Sequence, residues 1–415
     1  MKRRGTLAAI DVGSTKVSVV VADTTGYGEV RILGVGVAPA AGLSRGVIDN
    51  IPSAREAIAV AVEKAEQACG MRILSAVAGI SGSHIQSQNN RGIVAIPDRS
   101  RPISQDDRAR VLEAASQLSI PTNRQVIHVL ARGYWIEGTD PVSDPVGMYG
   151  GRLDAETHIV TGASSAIQNL RKCIEGAGVN VDEVILESVA SATSVLTEQE
   201  RLQGVAVADI GGSITSLAVY DEGTIAHTAC LPIAGSHLTH DLARMLRCPW
   251  ESAESIKCSH GAAHPGARGE ATTVEIDAFG TQARKPVEVS YICEILQARA
   301  EEILDMIALE LKRTGYFDQV AAGIVFTGGS SQLRGLAELA ETRLNIPARV
   351  GQPRGYSGLS DIIGTPAYAT AIGLVEHALL GRDQPGELLA SGHELPAMGG
   401  IFRRLAAMGR ALMPL

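Results

Sequence analysis

Two stretches of this 415-residue chain repeat one order of chemically useful residues. Residues 7–23 read LAAIDVGSTKVSVVVAD, and residues 205–221 read VAVADIGGSITSLAVYD. Asp11 falls on Asp209, Gly13 on Gly211, Val21 on Val219 and Asp23 on Asp221. Each stretch is an apolar run ending at Asp-x-Gly, then small hydroxyl residues, then an alternating second run. Small residues after an aspartate permit a tight hairpin whose backbone N–H groups can reach an anion. Ser14, Thr15, Ser213 and Thr215 add hydroxyls, and Lys16 adds a positive charge. Either hairpin alone reads equally well as an ordinary glycine turn. A matched pair from duplicated halves can grip a phosphate chain from both sides.

A third glycine element, GIVFTGGSSQLRGL, begins at Gly323. It predicts a buried strand, a turn at Gly328 and Gly329, and a helix capped by Ser330 or Ser331. A helix start of this kind presents N–H groups to a nucleotide's α-phosphate and ribose. Between the hairpins lies VILESVASATSVL, with Glu187 closing an apolar strand ahead of a small-residue helix. That carboxylate can orient a water, or it can simply face the positive end of the helix dipole.

Around these loops the composition is that of a folded protein with about two domains. The chain is 45% hydrophobic and 20% charged, with 45 glycines and 3% aromatics. A formal net charge of -8 argues against a broad electrostatic grip on nucleic acid, so no nucleic-acid partner is expected. No run of about 18 apolar residues is present to predict a transmembrane helix. The opening MKRRGTLAAIDVG imitates a signal peptide, but Asp11 and Lys16 interrupt it, so it reads as a cytoplasmic chain entering its first strand. Cys248, Cys258, His260 and His264 lie close enough to raise a zinc site, yet no tight CxxC pair is present and reduced thiols fit better.

Residues 399–415, GGIFRRLAAMGRALMPL, stand out against the acidic background, with Arg403, Arg404 and Arg410 and no acid. Wound at about 100° per residue, Ile401, Phe402, Leu405, Met408, Leu412 and Leu415 share one face, with Met413 at its edge. Arg403 and Arg410 lie opposite, and Arg404 flanks the apolar face where it can snorkel. This is the pattern of a helix lying in a membrane interface, with anionic lipid as the missing partner. The Gly- and Pro-rich stretch 381–398 before it reads as a flexible tether. A helix docked on the protein's own core is the alternative.

Asp-x-Gly twice, a connecting Glu-bearing strand and a third Gly-Gly loop follow the order of the actin, Hsp70 and sugar kinase superfamily. The chain closely resembles the bacterial FtsA cell-division family over nearly its whole length. The stretches that carry this are AIDVGSTKVSVVVAD, GISGSHIQSQNNRGIVAI, GVAVADIGGSITSLAVYDEG, AESIKCSHG, AAGIVFTGGSSQLRGL, TPAYATAIGL and the basic tail. The resemblance implies an α/β, actin/Hsp70-like duplicated ATPase fold with an inserted subdomain in the first half and a C-terminal amphipathic helix. It divides the chain into a first core subdomain (1–82 and 162–202), the insert (83–161), a second core subdomain (203–225 and 321–380), a further subdomain (226–320), the tether and the membrane helix (399–415). Within the insert, SQDDRARVLEAASQL predicts an amphipathic helix with Ser104 and Asp107 as a capping pair, and QVIHVLARGYWIEG and ETHIVTGA predict strands.

By position, the resemblance makes Asp11, Gly13, Ser14, Thr15 and Lys16 the first phosphate loop and Asp209, Gly211, Gly212 and Ser213 the second. Glu254 and Lys257 would flank the adenosine, and Gly328, Gly329 and Ser330 would close that side. ATP and Mg2+ are the implied cofactors, with Asp11 and Asp209 reaching the metal through water. Asp209 and Glu187 would position an attacking water. The implied partners are the FtsZ C-terminal peptide, other copies in an actin-like filament, later division proteins meeting the insert, and anionic lipid at the cytoplasmic face of the membrane at the division septum. Arg299 is the residue expected to meet FtsZ. A pilus-assembly adaptor of the same fold and a sugar kinase are the rival readings.

One departure bears on activity. The family's second loop usually reads DIGGGT with an Asp two residues on, whereas this chain reads DIGGSITS. Ser213 replaces a glycine, Ile214 takes the Thr position and Ser216 the Asp position. A serine takes positive φ less cheaply than glycine, so a looser fit to the γ-phosphate is expected, with Thr215 compensating from a shifted position. ATP binding is therefore expected more firmly than ATP hydrolysis.

Overall fold

The computed structural model describes residues 5–24, 30–280, 284–383 and 388–389. The basic tail and most of the expected tether lie outside these residues. In the first half, β1 (Thr6–Val12), β2 (Lys16–Thr24) and β3 (Val30–Pro39) form an antiparallel meander. A two-rung ladder, β4 (Leu43–Ser44) with β5 (Val47–Ile48), leads into α1 (Ile51–Cys69), and β6 (Ser75–Ile80) follows. Helix α1 starts where the Asn50 side chain accepts the Ser53 N–H at 3.1 Å and stops at left-handed Gly70. Its alanine stripe lies on β3, where a Cβ on Gly36 would strike the Ala61 carbonyl. Glycine there lets helix and strand approach backbone to backbone.

The insert is β7 (Gln86–Ala95), α2 (Gln105–Ser116), β8 (Arg124–Ile136) and β9 (Arg152–Ala163). Ser104 and Asp107 close a full capping box on α2 as expected, and Arg101 and Arg110 also hold the buried Asp107 carboxylate. Strand β9 begins four residues before the stretch that the alternation picked out. The chain returns to the core through α3 (Ser164–Gly176), β10 (Asn180–Leu186), α4 (Glu187–Val195) and α5 (Glu198–Gln203).

The second half repeats the first. An antiparallel meander of β11 (Val205–Ile210), β12 (Thr215–Asp221) and β13 (Thr224–Leu231) precedes α6 (Gly235–Leu246) and α7 (Trp250–His260). The hairpin β14 (Thr273–Ile276) and β15 (Lys285–Glu288) leads into α8 (Val289–Thr314). Strand β16 (Ile324–Thr327), α9 (Leu336–Leu344), β17 (Ala348–Val350), β18 (Tyr356–Ser357), α10 (Ser360–Ile363) and α11 (Ala369–Asp383) complete it. The two sheets run β10-β6-β1-β2-β3-β18 and β13-β12-β11-β16-β17. Asp11 sits opposite Ser18 and Asp209 opposite Ser216, so the sequence repeat is also a repeat of strand register.

Two features lie outside what the sequence suggested. Helix α11 runs to Asp383, into the expected tether, and Leu388–Leu389 pairs with β8 as a short strand β19. The insert is also bonded to the edge strands of both sheets. His128 on β8 accepts the Leu186 N–H at the end of β10 at 2.9 Å. Ser87 and Asn89 on β7 donate to the Thr228 and Ala226 carbonyls of β13, and the His158 ring joins Asn89 to the Thr228 hydroxyl. Burial holds both histidines neutral, each pushed down to about 3.

Candidate functional site

The turns of the two repeated hairpins face one another across a cleft of about 740 Å³, within the range of small-molecule sites. The cleft brings together Asp11, Gly13, Ser14, Thr15 and Lys16 from the first turn with Asp209, Gly211, Gly212 and Ser213 from the second. Gly328, Gly329 and Ser330 line it from the third loop, Glu254 and Lys257 from α7, and Glu187 from the start of α4. Residues scattered over the sequence thus line one cleft, because each lies at the end of a core strand or on a helix flanking it.

The turns meet so closely that glycine is required at one point. A Cβ on Gly212 would strike the Thr15 methyl and come within 2.8 Å of the Ser14 hydroxyl. The constraint in the second loop therefore sits at Gly212 and not at Ser213, which has no positive φ. The strain expected of Ser213 is absent. Thr215 does not compensate for anything in the cleft either: its buried hydroxyl donates to the Ile233 carbonyl at 2.6 Å. Ile214 lies beside Gly46 and the Ser81–Gly82 peptide leading into the insert, since a Cβ on Gly46 would meet all three. Among the described residues, the N–H groups of Ser14, Thr15, Gly212 and Ser213 have no protein acceptor. Four unspent donors on residues that line one cleft suit an anion.

The third loop differs from expectation. After Gly328 and Gly329 comes only a 3-10 turn over Gly329–Gln332, and α9 starts at Leu336, later than a cap at Ser330 or Ser331 would place it. Ser330 donates to the Gly211 carbonyl at 2.8 Å and Ser331 to the Gly328 carbonyl, so neither hydroxyl caps a helix. Ser330 instead ties the third loop to the second. Gly328 has φ 83° and is bounded by Asp209 and the Ile210 carbonyl, which no side chain could share.

Three carboxyl groups, the buried Asp11 and Asp209 and the partly buried Glu187, lie together, with Lys16 beside Asp11 and Asp209 as the cation. Burial pushes Asp11 up to about 7, with Lys16 opposing and Asp209 adding to the shift. Burial also raises Asp209, against the Thr370 hydroxyl donating to its Oδ2 at 2.7 Å. Glu187 is raised well above its usual range by burial and by Asp11, although Ser81 donates to it. The cluster holds more acid than base, which suits a cation arriving with a ligand. No group of three or more metal-ligating side chains stands ready to hold a bare ion among the described residues, so contact through water fits better.

On α7, Lys257 bonds Glu254 at 2.7 Å, the Thr239 hydroxyl at 2.9 Å and the Gly235 carbonyl at 3.3 Å. Thr239 donates to the same Glu254 carboxylate, which is held below its usual range despite partial burial. Trp250, half exposed, lines the cleft one turn before Glu254. The spacing Trp250, Glu254, Lys257 is a helical stripe that the sequence already contained. Also missed were Ser81, Thr370 and Tyr368, the last two within the TPAYATAIGL stretch.

Arg299 on α8 is engaged within the chain, through Asp241 at 2.6 Å and Glu302. It is not a free cation awaiting a partner. Cys248 is buried and Cys258 exposed, and both are free thiols.

The family profile "Cell division protein FtsA" matches residues 206–373, and "SHS2 domain inserted in FTSA" matches residues 82–161. The Cell division protein FtsA of Pseudomonas aeruginosa is 40% identical over 386 residues, covering 93% of this chain and 92% of that protein. Among solved structures, the PilM-PilN type IV pilus biogenesis complex matches with a TM-score of 0.62 at 16% identity, over 90% of this chain and 98% of that one. MreB 5 of Spiroplasma citri bound to AMPPNP matches with a TM-score of 0.55 at 14% identity, over 93% and 99%. At these identities the two structures speak for the actin-like fold alone.

Proposed function

The chain belongs to the FtsA family of cell division proteins, and from that premise we propose that it is an ATP-binding, actin-like polymer subunit that tethers FtsZ filaments to the cytoplasmic face of the cell membrane at the septum. The observation that carries the nucleotide part is the facing pair of repeated hairpin turns with unspent N–H donors. Their anion-binding character, the Lys16 charge and the surplus of buried carboxyls together fit a nucleotide that brings both phosphates and Mg2+. The actin-like neighbour from Spiroplasma citri is bound to AMPPNP, which supports the same ligand class.

In this reading Ser14, Thr15, Gly212 and Ser213 donate to the phosphates, and Lys16 offsets their charge. Asp11 and Asp209 face the metal through water. Gly328, Gly329 and Ser330 close one side of the nucleoside, and Glu254 with Lys257 the other. Bound Mg2+ would neutralise phosphate charge. Burial and the neighbouring Asp11 disfavour the charged form of Glu187, and Ser81 donates to it, which fits slow or absent turnover. Asp209, held by Thr370, is the other group able to orient a water.

The membrane part rests on the pattern of residues 399–415. Three arginines near an anionic surface contribute roughly 3 kcal/mol, and partial burial of six apolar side chains adds on the order of 1 kcal/mol each. Ordering an isolated short helix offsets part of this. One tail is then a reversible anchor, and a filament presenting many tails binds through avidity. FtsZ's terminal peptide is assigned to the region 226–320 and later division proteins to the insert.

A titration of the full chain with a fluorescent ATP analogue and Mg2+ tests the nucleotide part. Saturable binding that ATP competes away is the expected result. No displaceable binding would overturn it, and ADP release dependent on an added sugar would move the chain to the kinase reading.

A further inference from the structure

Lys16 does not pair with the acids beside it. Its Nζ lies 3.5 Å from the centre of the Tyr368 ring, and among the described residues Asp11 and Asp209 act on it through their charge without a hydrogen bond or ion pair. A partly buried ammonium near Asp11 and Asp209 would ordinarily close on one of them. The ring offers a competing seat, since the face of an aromatic attracts a cation without being a charge itself.

Tyr368 is also well placed to hold that seat steady. It ends the 3-10 turn Pro366–Tyr368, which passes directly into α11. Gly328 donates its N–H to the Pro366 carbonyl at 3.1 Å, tying this turn to the third loop. Two residues beyond Tyr368, Thr370 donates to Asp209 of the second hairpin. Through Tyr368 the same turn touches Lys16 of the first hairpin. Residues 366–370 thus contact all three loops that surround the cleft, and the aromatic contact is the link to the first.

We propose that Tyr368 is a positioning residue for the phosphate site: its ring seats the Lys16 ammonium away from the buried carboxyls, leaving the lysine available to a ligand's phosphates and the acids available to its cation. This rests on the nucleotide reading of the cleft. Without the ring, Lys16 falls onto Asp11 or Asp209, and a phosphate ligand must first break that pair. The effect grows with the number of phosphates near Lys16, and adenosine itself is indifferent to it.

The test uses the full chain with Mg2+ and measures Kd for ATP, ADP and adenosine by competition against a fluorescent ATP analogue, with thermal melting as the check on folding. Tyr368→Leu is expected to weaken ATP about tenfold, ADP less, and adenosine not at all. Tyr368→Phe, which keeps the ring, is expected to recover most of the loss. In a Lys16→Ala background, Tyr368→Leu is expected to have no further effect on ATP. Equal weakening of all three ligands, no weakening of any, or a full additional loss in the Lys16→Ala background would each overturn the proposal. Failure of the unaltered protein to bind ATP at all would instead overturn the nucleotide reading, and this proposal with it.

Discussion

Gly328→Ala is expected to weaken MgATP binding at least about 100-fold, equivalent to about 2.7 kcal/mol. Two effects combine at this position. The backbone has φ 83°, in the left-handed region where a Cβ is strained by about 1–2 kcal/mol. The added methyl would also collide with the Asp209 carboxylate and lie 2.7 Å from the Ile210 carbonyl. Asp209 must then move, giving up the bond from Thr370 and its place in the cleft. Gly70→Ala separates the two effects, since Gly70 has φ 69° but open space where its Cβ would lie. The control should lose stability and keep its ATP affinity. Equal ATP affinity in both variants would show that Gly328 matters only to the backbone.

Asp11→Asn is expected to make the ligand-free protein more stable at pH 8, by on the order of 2 kcal/mol. The sign follows from the shift. Burial raises Asp11 to about 7 in the folded chain, while the unfolded chain releases this proton near pH 4. The folded state therefore binds more protons between those values, and stability falls as pH rises through that window. Asparagine carries no charge to bury, so the gain is greatest at pH 8 and fades toward pH 4. If Asp11 faces the metal's water shell as proposed, the same substitution should also shrink the stabilisation given by MgATP. Urea unfolding at pH 5 and pH 8, with and without MgATP, measures both effects. A variant less stable than the parent at pH 8 would mean that Asp11 is already compensated by Lys16.

Much of this site was legible in the chain itself. The Asp-x-Gly repeat has the same strand register in both halves, with Asp11 opposite Ser18 and Asp209 opposite Ser216. Local rules found the capping box at Ser104 and Asp107, because both partners lie within one helical turn. What local reading could not find were bonds whose partners are far apart in sequence. Ser330 looks like a helix cap until the Gly211 carbonyl, brought in by the parallel pairing of β11 with β16, takes its hydroxyl. Thr215 looks like a phosphate donor until the Ile233 carbonyl takes its hydroxyl. Arg299 looks like a free contact residue until Asp241 on α6 engages it. In each case a polar side chain met a nearer partner supplied by the tertiary fold.

The insert's attachment was hidden for the same reason. Nothing around His128 or His158 in sequence marks them as links, yet one bonds the edge of the first sheet and the other the edge of the second. The insert therefore bridges the edges of both core sheets.

The central proposal, an ATP-binding polymer subunit held to membrane by its basic tail, is tested most directly by co-sedimentation with anionic liposomes, since nucleotide-linked assembly would present many tails together. The full chain, a chain ending at Met398 and the Gly328→Ala variant would each be spun with and without MgATP. The account predicts pelleting of the full chain that ATP strengthens, little pelleting of the shortened chain, and weak pelleting of the Gly328→Ala variant that ATP does not change. Equal pelleting of full and shortened chains, or pelleting of the full chain that is indifferent to ATP, would contradict it.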